Sequence, residues 1–384
     1  MNRRRSGARR DLVVLAYGYA ASPRDAVSRV VEDLATELRS RGRRVTVIGI
    51  PPTRIVAAGG DAADKIRRLR SELRFLMSSV VFVLRRHREM RAFVSVDVPS
   101  GLPFVGALAR RMSRGRVRDI AWVMDLYRLT LEGGGHLDTI RARVELAALR
   151  SSATIITIGE CMSAVLSDLT AKPVSVIPLW HRDMEVAATP ASNPPLRLLY
   201  SGSAREIHPL LPLVQAVSGR DDVELQISGS GSEVERVRAY LANHPQRNVQ
   251  VGGFVQEQNL GSAYARADLH VVSLRENATG TCVPSKVYAA MASGRGVLYL
   301  GSASGQAARD VLNAGAGVVV ETDAVTSISA AITQLVSDRA RVHAYGARSR
   351  RFFDDERSLA VGGERWANEL VASAAIVTKS TALS

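Results

Sequence analysis

The chain has 384 residues, 46% of them hydrophobic, and its mean hydropathy is close to zero at +0.01. This length favours two domains over one, and the composition indicates a globular protein rather than a disordered one. The two cysteines match no metal-ligand spacing, the basic N-terminus leads into no signal-peptide pattern, and no apolar run is long enough to span a bilayer. We therefore expect a cytoplasmic protein.

The formal net charge of +14 is unevenly distributed. Residues 1–190 contain 32 Lys and Arg against 19 Asp and Glu, whereas residues 191–384 contain 19 against 18. The basic half needs an anionic partner or surface, such as nucleic acid, acidic lipid headgroups or a phosphorylated substrate. Nucleic acid is disfavoured, because only 5% of the residues are aromatic and no recognition module is present.

The first half alternates predicted strands and helices. The run "DLVVLAY" predicts a buried strand, and the helix after it places Val27, Val30, Val31, Leu34 and Leu38 on one face. Further strands are predicted in "RVTVIGI", "AFVSVDV", "DIAWVMDL" and "ATIITIG". Such a series predicts a doubly wound parallel sheet.

Residues 64–91 predict an arginine-rich amphipathic helix. This helix could lie on an anionic membrane, or its apolar stripe could pack on the sheet while the arginines are solvated. The charge asymmetry favours a combination, in which the stripe is core and the basic rim faces a bilayer. A second basic cluster, Arg110 to Arg118, repeats the pattern. The apolar stripe consists of Ile66, Leu69, Leu73, Leu76, Val80 and Leu84.

The strand–helix series restarts after a Pro-, Ala- and Ser-rich segment that reads as a linker. The strands of this half are predicted in "LRLLYSG", "VELQISGSG", "VQVGGFV", "LHVVSL", "GVLYLG" and "GVVVET". Two Rossmann-like domains would then face a cleft, with ligands beyond the carboxyl ends of the strands. The predicted boundaries are 1–185 for the first domain, 186–195 for the linker, 196–360 for the second domain and 361–384 for a C-terminal helix and tail.

The stretch "ENATGTCVPSKVYAAMASGRG" (276–296) has the layout of an anion site. Small residues let the backbone approach a ligand, and Pro284 and Ser285 suit the start of a helix. Lys286 would place a cation in the first turn of that helix, where backbone N–H groups attract phosphate. The alternative is an ordinary helix start with a solvated lysine.

The second half resembles the retaining glycosyltransferases of family 4, which have the two-domain GT-B fold. The resemblance is carried by "LLYSGSAREIHPLLPLVQAV", "LQISGSGSEVERV", "VQVGGFVQEQNLGSAYARADLHVVSL" and "VPSKVYAAMASGRGVLYLG". The last of these is similar to a branch of polysaccharide and O-antigen transferases in which Pro-Ser-Lys opens the phosphate-facing helix. In the first half "AWVMDLY" and "VSVIPLW" fit the same branch.

The resemblance implies a nucleotide-diphosphate sugar held mainly by the second domain. The backbone of the first two glycine-containing turns would contact the diphosphate, together with one arginine. The Pro-Ser-Lys helix would hold the departing phosphates. The "GGFV" segment would lie near the base. The implied donor-binding residues are Gly18, Gly202, Ser203, Arg205, Gly229, Phe254, Val255, Ser285 and Lys286.

Four residues are candidates for catalysis. Asp97 and Asp125 follow predicted strands of the first half, where a carboxylate could orient an acceptor, although helix capping or a structural hydrogen bond would also explain them. Glu276 would contact the sugar, and Lys286 the leaving group. One departure from the family is Ala289, which stands where many members have a ribose-binding glutamate. No Asp-x-Asp is present, so we expect no metal and no cofactor.

The resemblance thus implies a retaining hexosyltransferase that acts without metal. Its acceptor would be a lipid-linked or otherwise hydrophobic glycan intermediate of a surface polymer, reached from the cytoplasmic face of a membrane. A nucleotide-sugar epimerase of the same fold is one alternative. A relative that binds the donor with reduced catalysis is another, because of Ala289.

Overall fold

The chain divides into two compact units. The first unit comprises Met1–Pro178 and Gly362–Ser384, and the second comprises Leu179–Val361. The structure, a computed structural model, describes residues 11–17, 26–49, 62–96, 101–126, 136–184, 195–321 and 324–380. The predicted linker lies outside these residues except for its last residue, and Gly18 and Asp97 lie outside them altogether.

The first unit contains a six-stranded parallel sheet in the order β2-β1-β3-β4-β5-β6. Its central strands are buried except at Arg91 and Arg118 because helices cover both faces, as all-parallel sheets require. Five of the strands are those predicted from the apolar runs, and the short β6 was not predicted. The strands are β1 (Leu12–Tyr17), β2 (Arg44–Gly49), β3 (Met90–Val96), β4 (Arg118–Val123), β5 (Thr154–Thr157) and β6 (Ser175–Val176).

Helices of the first unit lie on the two faces of this sheet according to the direction of each crossover. The chain moves from β1 to β2 in one direction and from β2 through β3 to β6 in the other, so right-handed crossovers place α1 on one face and α2 to α5 on the opposite face. The helices are α1 (Ala26–Ser40), α2 (Ala62–Arg86), α3 (Leu102–Met112), α4 (His136–Ser151) and α5 (Glu160–Thr170).

The second unit contains another six-stranded parallel sheet, in the order β12-β11-β10-β7-β8-β9. Counted from its own first strand this is the order 3-2-1-4-5-6 reversed, which is the Rossmann arrangement with its switch point between β7 and β10. The strands are β7 (Leu196–Ser203), β8 (Val223–Ser230), β9 (Val249–Gly252), β10 (Leu269–Ser273), β11 (Gly296–Leu300) and β12 (Gly317–Val320). The predicted α/β class with two Rossmann-like sheets is confirmed.

The helices of the second unit are mostly short. The apolar core between the sheet and its first and sixth helices includes Leu213, Ile227, Val271, Leu298 and Ile332. The helices are α6 (Leu211–Val217), α7 (Ser232–Asn243), α8 (Leu260–Ala265), α9 (Lys286–Ala292), α10 (Gln306–Asn313), α11 (Val325–Ser337) and α12 (Arg339–Phe352). No helix in the described part of the chain has the length and apolar character to cross a membrane.

The apolar stripe predicted for residues 64–91 is only partly core. Leu76 and Val80 pack against the buried cluster between α2, α3 and the sheet. In contrast, Leu69, Leu73 and Leu84 are exposed, so the interpretation of the whole stripe as core is wrong for them. The contacts of α2 with the core are made by a second apolar face, which includes the buried Phe75 and Val83 outside the predicted stripe. The side chain of Ile66 lies outside the described residues.

The C-terminal helix, α13 (Leu359–Ser380), packs on the first unit. Trp366 is fully buried against Trp122 of β4, with ring centroids 4.6 Å apart. Two arginines of the sheet bond to the same helix: Arg91 donates to the Leu370 carbonyl oxygen at 3.1 Å, and Arg118 pairs with Glu369. The aromatic pair therefore anchors the end of the chain to the sheet of the first unit.

We expect Trp366→Ala to destabilise the first unit by about 4 kcal/mol, because truncating a buried tryptophan leaves a large cavity. Val371→Ala is the matched control on the same helix, since Val371 is 45% exposed and its truncation should cost less than about 0.5 kcal/mol. Urea unfolding followed by circular dichroism measures both. Equal unfolding midpoints for the two variants would contradict the anchoring role of Trp366.

Candidate functional site

Apart from Gly18, the residues predicted to bind the donor lie at or after the carboxyl ends of four neighbouring strands of the second unit. Because all strands are parallel, these ends meet at one edge of the sheet, where ligands bind in doubly wound folds. β7 ends in Gly202 and Ser203, β8 contains Gly229, and Phe254 follows β9. The segment after β10 leads through Ser285 into α9, which begins at Lys286. The topology therefore assembles residues that are far apart in the sequence.

Lys286 is held at this edge by two oxygen acceptors. Its Nζ donates to the hydroxyl of Tyr200 at 2.6 Å and to the backbone oxygen of Ser203 at 2.5 Å. The same ammonium lies 4.4 Å from the centroid of the Tyr200 ring, within cation–π range. Both acceptors are uncharged, so these contacts orient the ammonium without neutralising its charge.

The glycines at this edge are required by close packing. A Cβ on Gly202, whose φ is +120°, would lie 2.7 Å from Cε of Lys286. A Cβ on Gly229 would lie 1.9 Å from the carbonyl oxygen of Gly202, its partner in the strand register. Gly202 thus makes room for the lysine stem, and Gly229 makes room for Gly202.

Three titratable groups near this edge have shifted pKa values, and burial raises the pKa of Tyr200. Burial lowers the pKa of Lys286 to about 7. Burial also lowers the pKa of His208 to about 4, with the charges of Lys286 and Arg205 acting in the same direction. His208 Nδ1 lies 2.6 Å from the carbonyl oxygen of Ser273 and must donate to it, which leaves Nε2 unprotonated in the neutral ring. Desolvation is the main cause of both decreases, so this edge disfavours positive charge.

Arg205 and Glu276 are exposed on either side of this region. Arg205 has an exposed guanidinium in the turn after β7, and its backbone oxygen accepts from the His208 N–H at 2.8 Å. Glu276 begins a short 3₁₀ turn after β10 and lines a pocket of about 500 Å³. Arg275, Asn277 and Glu321 also line that pocket, which gives it polar groups suited to hydroxyl-rich ligands.

Ser285 and Ala289 show how α9 begins and packs. Ser285 is the N-cap residue, but its side chain makes no capping hydrogen bond, contrary to what a serine at a helix start usually does. Ala289, at the position of the missing glutamate, is 7% exposed and packs with Leu199, Tyr264 and Ala267. An apolar cluster therefore surrounds the position where many family members carry a carboxylate.

The segment predicted to lie near the base extends from the sheet after β9. Phe254 is 53% exposed, Val255 is half-buried, and a Cβ on Gly252 or Gly253 would meet nothing within 4 Å. An exposed aromatic ring beside an unobstructed backbone suits stacking and backbone contacts with a planar ring. The placement agrees with the predicted role, which stays a prediction.

Of the candidates in the first unit, the structure describes Asp125. It lies two residues after the end of β4 and is half-buried. Gly18 and Asp97 fall outside the described residues. Within the described residues, no group of three or more His, Cys, Asp and Glu side chains is placed to hold a metal ion.

The sequence did not single out three residues that shape this edge. Tyr200 orients the Lys286 ammonium, and burial keeps the nearby His208 neutral by lowering its pKa. Glu233 is buried in the first turn of α7 and accepts from the backbone N–H of Leu210, which positions the turn before α6. Only the position of Tyr200, just before the glycine-containing end of β7, could have indicated a role.

With this geometry, the second unit can be compared with known proteins. Residues 196–338 match the family profile described as "Glycosyl transferases group 1". That stretch lies within the second unit, Leu179–Val361, and includes all six strands of its sheet. A curated relative from Corynebacterium glutamicum, named as a GDP-mannose-dependent monoacylated alpha-(1-6)-phosphatidylinositol monomannoside mannosyltransferase, is 31% identical over 157 residues. That alignment covers 41% of each chain, so this chain matches less than half of the relative's length.

Solved structures match nearly the whole chain. Sucrose-phosphate synthase from Thermosynechococcus elongatus has a TM-score of 0.72 at 15% identity, over 95% of this chain and 100% of the other. Anabaena HepE in complex with UDP-glucose has a TM-score of 0.65 at 12% identity, over 94% of this chain and 99% of that one. At these identities the likeness concerns the fold, which is GT-B as predicted.

The packing at Gly202 predicts a specific coupling to Lys286. We expect Gly202→Ala to lower the free energy of unfolding by about 3 kcal/mol, and the control Gly219→Ala to lower it by about 1 kcal/mol. Both alanines need a positive φ, but only the alanine at position 202 meets another side chain. In a Lys286→Ala background the cost of Gly202→Ala should fall, because the clashing Cε is gone. Urea unfolding of the double-mutant cycle measures this; strictly additive effects would disprove the contact.

The lowered pKa of Lys286 predicts how stability depends on pH. Between about pH 7 and the ordinary lysine pKa of 10.5 the unfolded chain binds the proton that the folded chain has released. Stability must therefore rise with pH in this window, relative to a variant without the amine. We expect the melting temperature of wild type minus that of Lys286→Met to increase from pH 7 to pH 10. A constant difference would show that the amine titrates normally.

Proposed function

We propose that the protein is a retaining glycosyltransferase that moves a hexosyl group from a nucleotide-diphosphate sugar to a glycan acceptor. The observation that carries the proposal is the Lys286 ammonium, held at the carboxyl edge of a Rossmann sheet by a hydroxyl and a carbonyl oxygen. A cation oriented by neutral groups in a partly desolvated position is suited to bind phosphate. The family match over residues 196–338 supports the same ligand class.

The donor would lie across the ends of β10, β7, β8 and β9. Its diphosphate would meet Lys286, with Arg205 as a second cation and with Ser203 and Ser285 as polar neighbours. The base would lie toward Phe254 and Val255, and the sugar toward Glu276. The strands β10, β7, β8 and β9 are neighbours in this order, so the segments that follow them lie in the same order along one edge of the sheet.

Lys286 would act on the leaving group. Cleavage of the bond between the anomeric carbon and the diphosphate oxygen transfers the electron pair to the diphosphate, whose negative charge grows in the transition state. A fixed ammonium at that position stabilises the developing charge more than the ground state, which lowers the barrier. The acceptor hydroxyl would attack the anomeric carbon from the side that the diphosphate leaves and would pass its proton to a departing diphosphate oxygen, so the configuration is retained without a protein nucleophile.

We propose that neither a metal ion nor a cofactor takes part, and that the nucleotide sugar is a co-substrate. Lys286 and Arg205 would supply the positive charge that a divalent cation supplies in other transferases. The role of Asp125 would be to orient the acceptor, together with Asp97, whereas Gly18 would contact the donor.

We further propose a lipid-linked or hydrophobic glycan intermediate of a surface polymer as acceptor, used on the cytoplasmic face of a membrane. Two observations support this: the curated relative is named for a phosphatidylinositol mannoside substrate, and the basic charge of this chain is concentrated in its first half. Anionic lipid headgroups attract an electropositive protein surface, so such a protein can act on acceptors in the membrane.

The first test is a thermal-shift panel of UDP, GDP, dTDP and their sugars at pH 6.5 with EDTA present. Below pH 7 Lys286 is mostly protonated, so one nucleotide family should raise the melting temperature by mass action. We expect Lys286→Ala to weaken binding by about tenfold or more, because a charge-assisted bond is lost. Lys172→Ala is the matched control, since Lys172 Nζ likewise donates to two uncharged oxygens, both of the backbone.

Each outcome bears on the proposal. Absence of binding at millimolar nucleotide, or equal effects of both lysine variants, would contradict the phosphate site. If the bound sugar nucleotide is converted to another sugar nucleotide without acceptor, the protein is an epimerase. Binding without any turnover would identify a donor-binding relative, in keeping with the alanine at position 289.

A further inference from the structure

Helix α2 of the first unit presents an exposed apolar stripe to solvent. Leu69, Leu73, Met77, Val81 and Leu84 are between 39% and 64% exposed. Their spacing of four, four, four and three residues places them on one face of the helix. The opposite face is the one that packs on the sheet through its own apolar residues, so the stripe is additional to the core contacts.

Arginines run along one flank of this stripe. Arg70 and Arg74 follow Leu69 and Leu73 directly, and both are exposed. Among the α2 side chains that the structure describes, the only acid is Glu72, which is buried. The exposed side of the helix thus combines aliphatic surface with positive charge.

Helix α3, which packs against α2, also exposes apolar and basic side chains. Phe104 is 43% exposed, and Arg111 lies seven residues later on the same face. Arg111 and the exposed Arg114 line a hollow of about 510 Å³ together with Phe104. An aromatic ring beside two exposed guanidinium groups offers both apolar contact and anion recognition.

The topology brings the basic ends of these two helices to one edge. α2 and α3 lie on the same face of the sheet, pack against each other, and both run antiparallel to the strands. Their C-terminal ends therefore lie at the amino edge of the sheet. Arg85 and Arg88 after the stripe of α2 join Arg111, Arg114 and Arg116 there, all of them exposed.

We propose that this surface, formed by the stripe of α2 and the basic ends of α2 and α3, binds the surface of an anionic phospholipid bilayer. An interfacial helix buries an apolar stripe among the acyl chains while flanking arginines contact headgroup phosphates. The surface offers both features on one side of the unit. Its charge attracts acidic lipids.

Other occupants fit the surface less well. A second copy docked face to face would bring the same arginines against each other, and like charges in an interface are costly. Nucleic acid would use the arginines, but it would leave an aliphatic stripe without partners, because single strands bind by stacking on aromatic rings. An anionic bilayer uses the arginines and the stripe together.

The membrane surface rests on the proposed function in one respect, because a lipid-linked acceptor would lie in the bilayer that this surface binds. The surface itself is argued from residues of the first unit. Nucleotide binding is assigned to the second unit, so the two proposals can fail separately.

The test is co-sedimentation of the full chain with phosphatidylcholine vesicles, with and without 30% phosphatidylglycerol. Wild type should bind the anionic vesicles, and binding should weaken in high salt. Leu73→Gln/Met77→Gln/Val81→Gln should lower partitioning by about 100-fold or more through lost apolar burial. Arg85→Gln/Arg88→Gln/Arg111→Gln should lower it by about 100-fold, at about fivefold per arginine.

The control variant is Arg247→Gln/Arg266→Gln/Leu312→Gln, which removes two exposed arginines and one exposed leucine from the second unit. It should bind vesicles as wild type does, and all variants should keep the thermal shift with nucleotide. Failure of wild type to bind anionic vesicles would overturn the proposal, as would equal losses in the control. A change of oligomeric state in the Leu73 variant without vesicle binding by wild type would assign the surface to protein contacts instead.

Discussion

The contact of the Lys286 side chain with Gly202 and Tyr200 constrains the whole carboxyl edge of the second sheet. The lysine stem occupies the space that a side chain at position 202 would need, and the chain at position 202 in turn occupies the space of a side chain at position 229. Strands β7 and β8 and the start of α9 can approach this closely only because both positions are glycine. The ammonium is consequently fixed where the ends of β10 and β7 diverge.

The electrostatic consequence is a cation without a carboxylate partner among its described contacts. Burial disfavours the charged form of Lys286, while the hydroxyl of Tyr200 and the carbonyl oxygen of Ser203 accept its hydrogen bonds. A group in this state gains more from an arriving anion than a solvated lysine does, because the anion restores the charge that desolvation disfavours. His208 remains neutral beside it and adds no competing charge.

The two units have similar sheets but carry different surfaces. In the second unit, short helices and glycines bring backbone close together at the ends of the strands. In the first unit, the long helix α2 has two apolar faces, one of which covers the sheet while the other stays exposed beside arginines. Part of the excess positive charge of the first half of the chain thus lies on exposed helix residues of that unit.

Much of the fold could be predicted from the sequence because it depends on local patterns. Apolar runs predicted eleven of the strands, the alternation of strands and helices predicted parallel sheets, and small residues around Pro284 and Ser285 indicated the start of α9. The two-residue strand β6 has too short a pattern to be recognised. The faces of α2 were assigned incorrectly in part, because apolar residues at helical spacing occur on both sides of that helix.

The sequence by itself determined the two Rossmann-like sheets and the asymmetry of charge, and it indicated Lys286 as a candidate phosphate ligand. Each of these follows from composition or from residues close together in the chain. Only the tertiary structure decided which groups surround Lys286. Tyr200, Gly202 and His208 lie about 80 residues before it, and nothing in their local sequence records the contact. The structure also decided which face of α2 is buried, because burial depends on what the sheet and α3 place opposite each side chain.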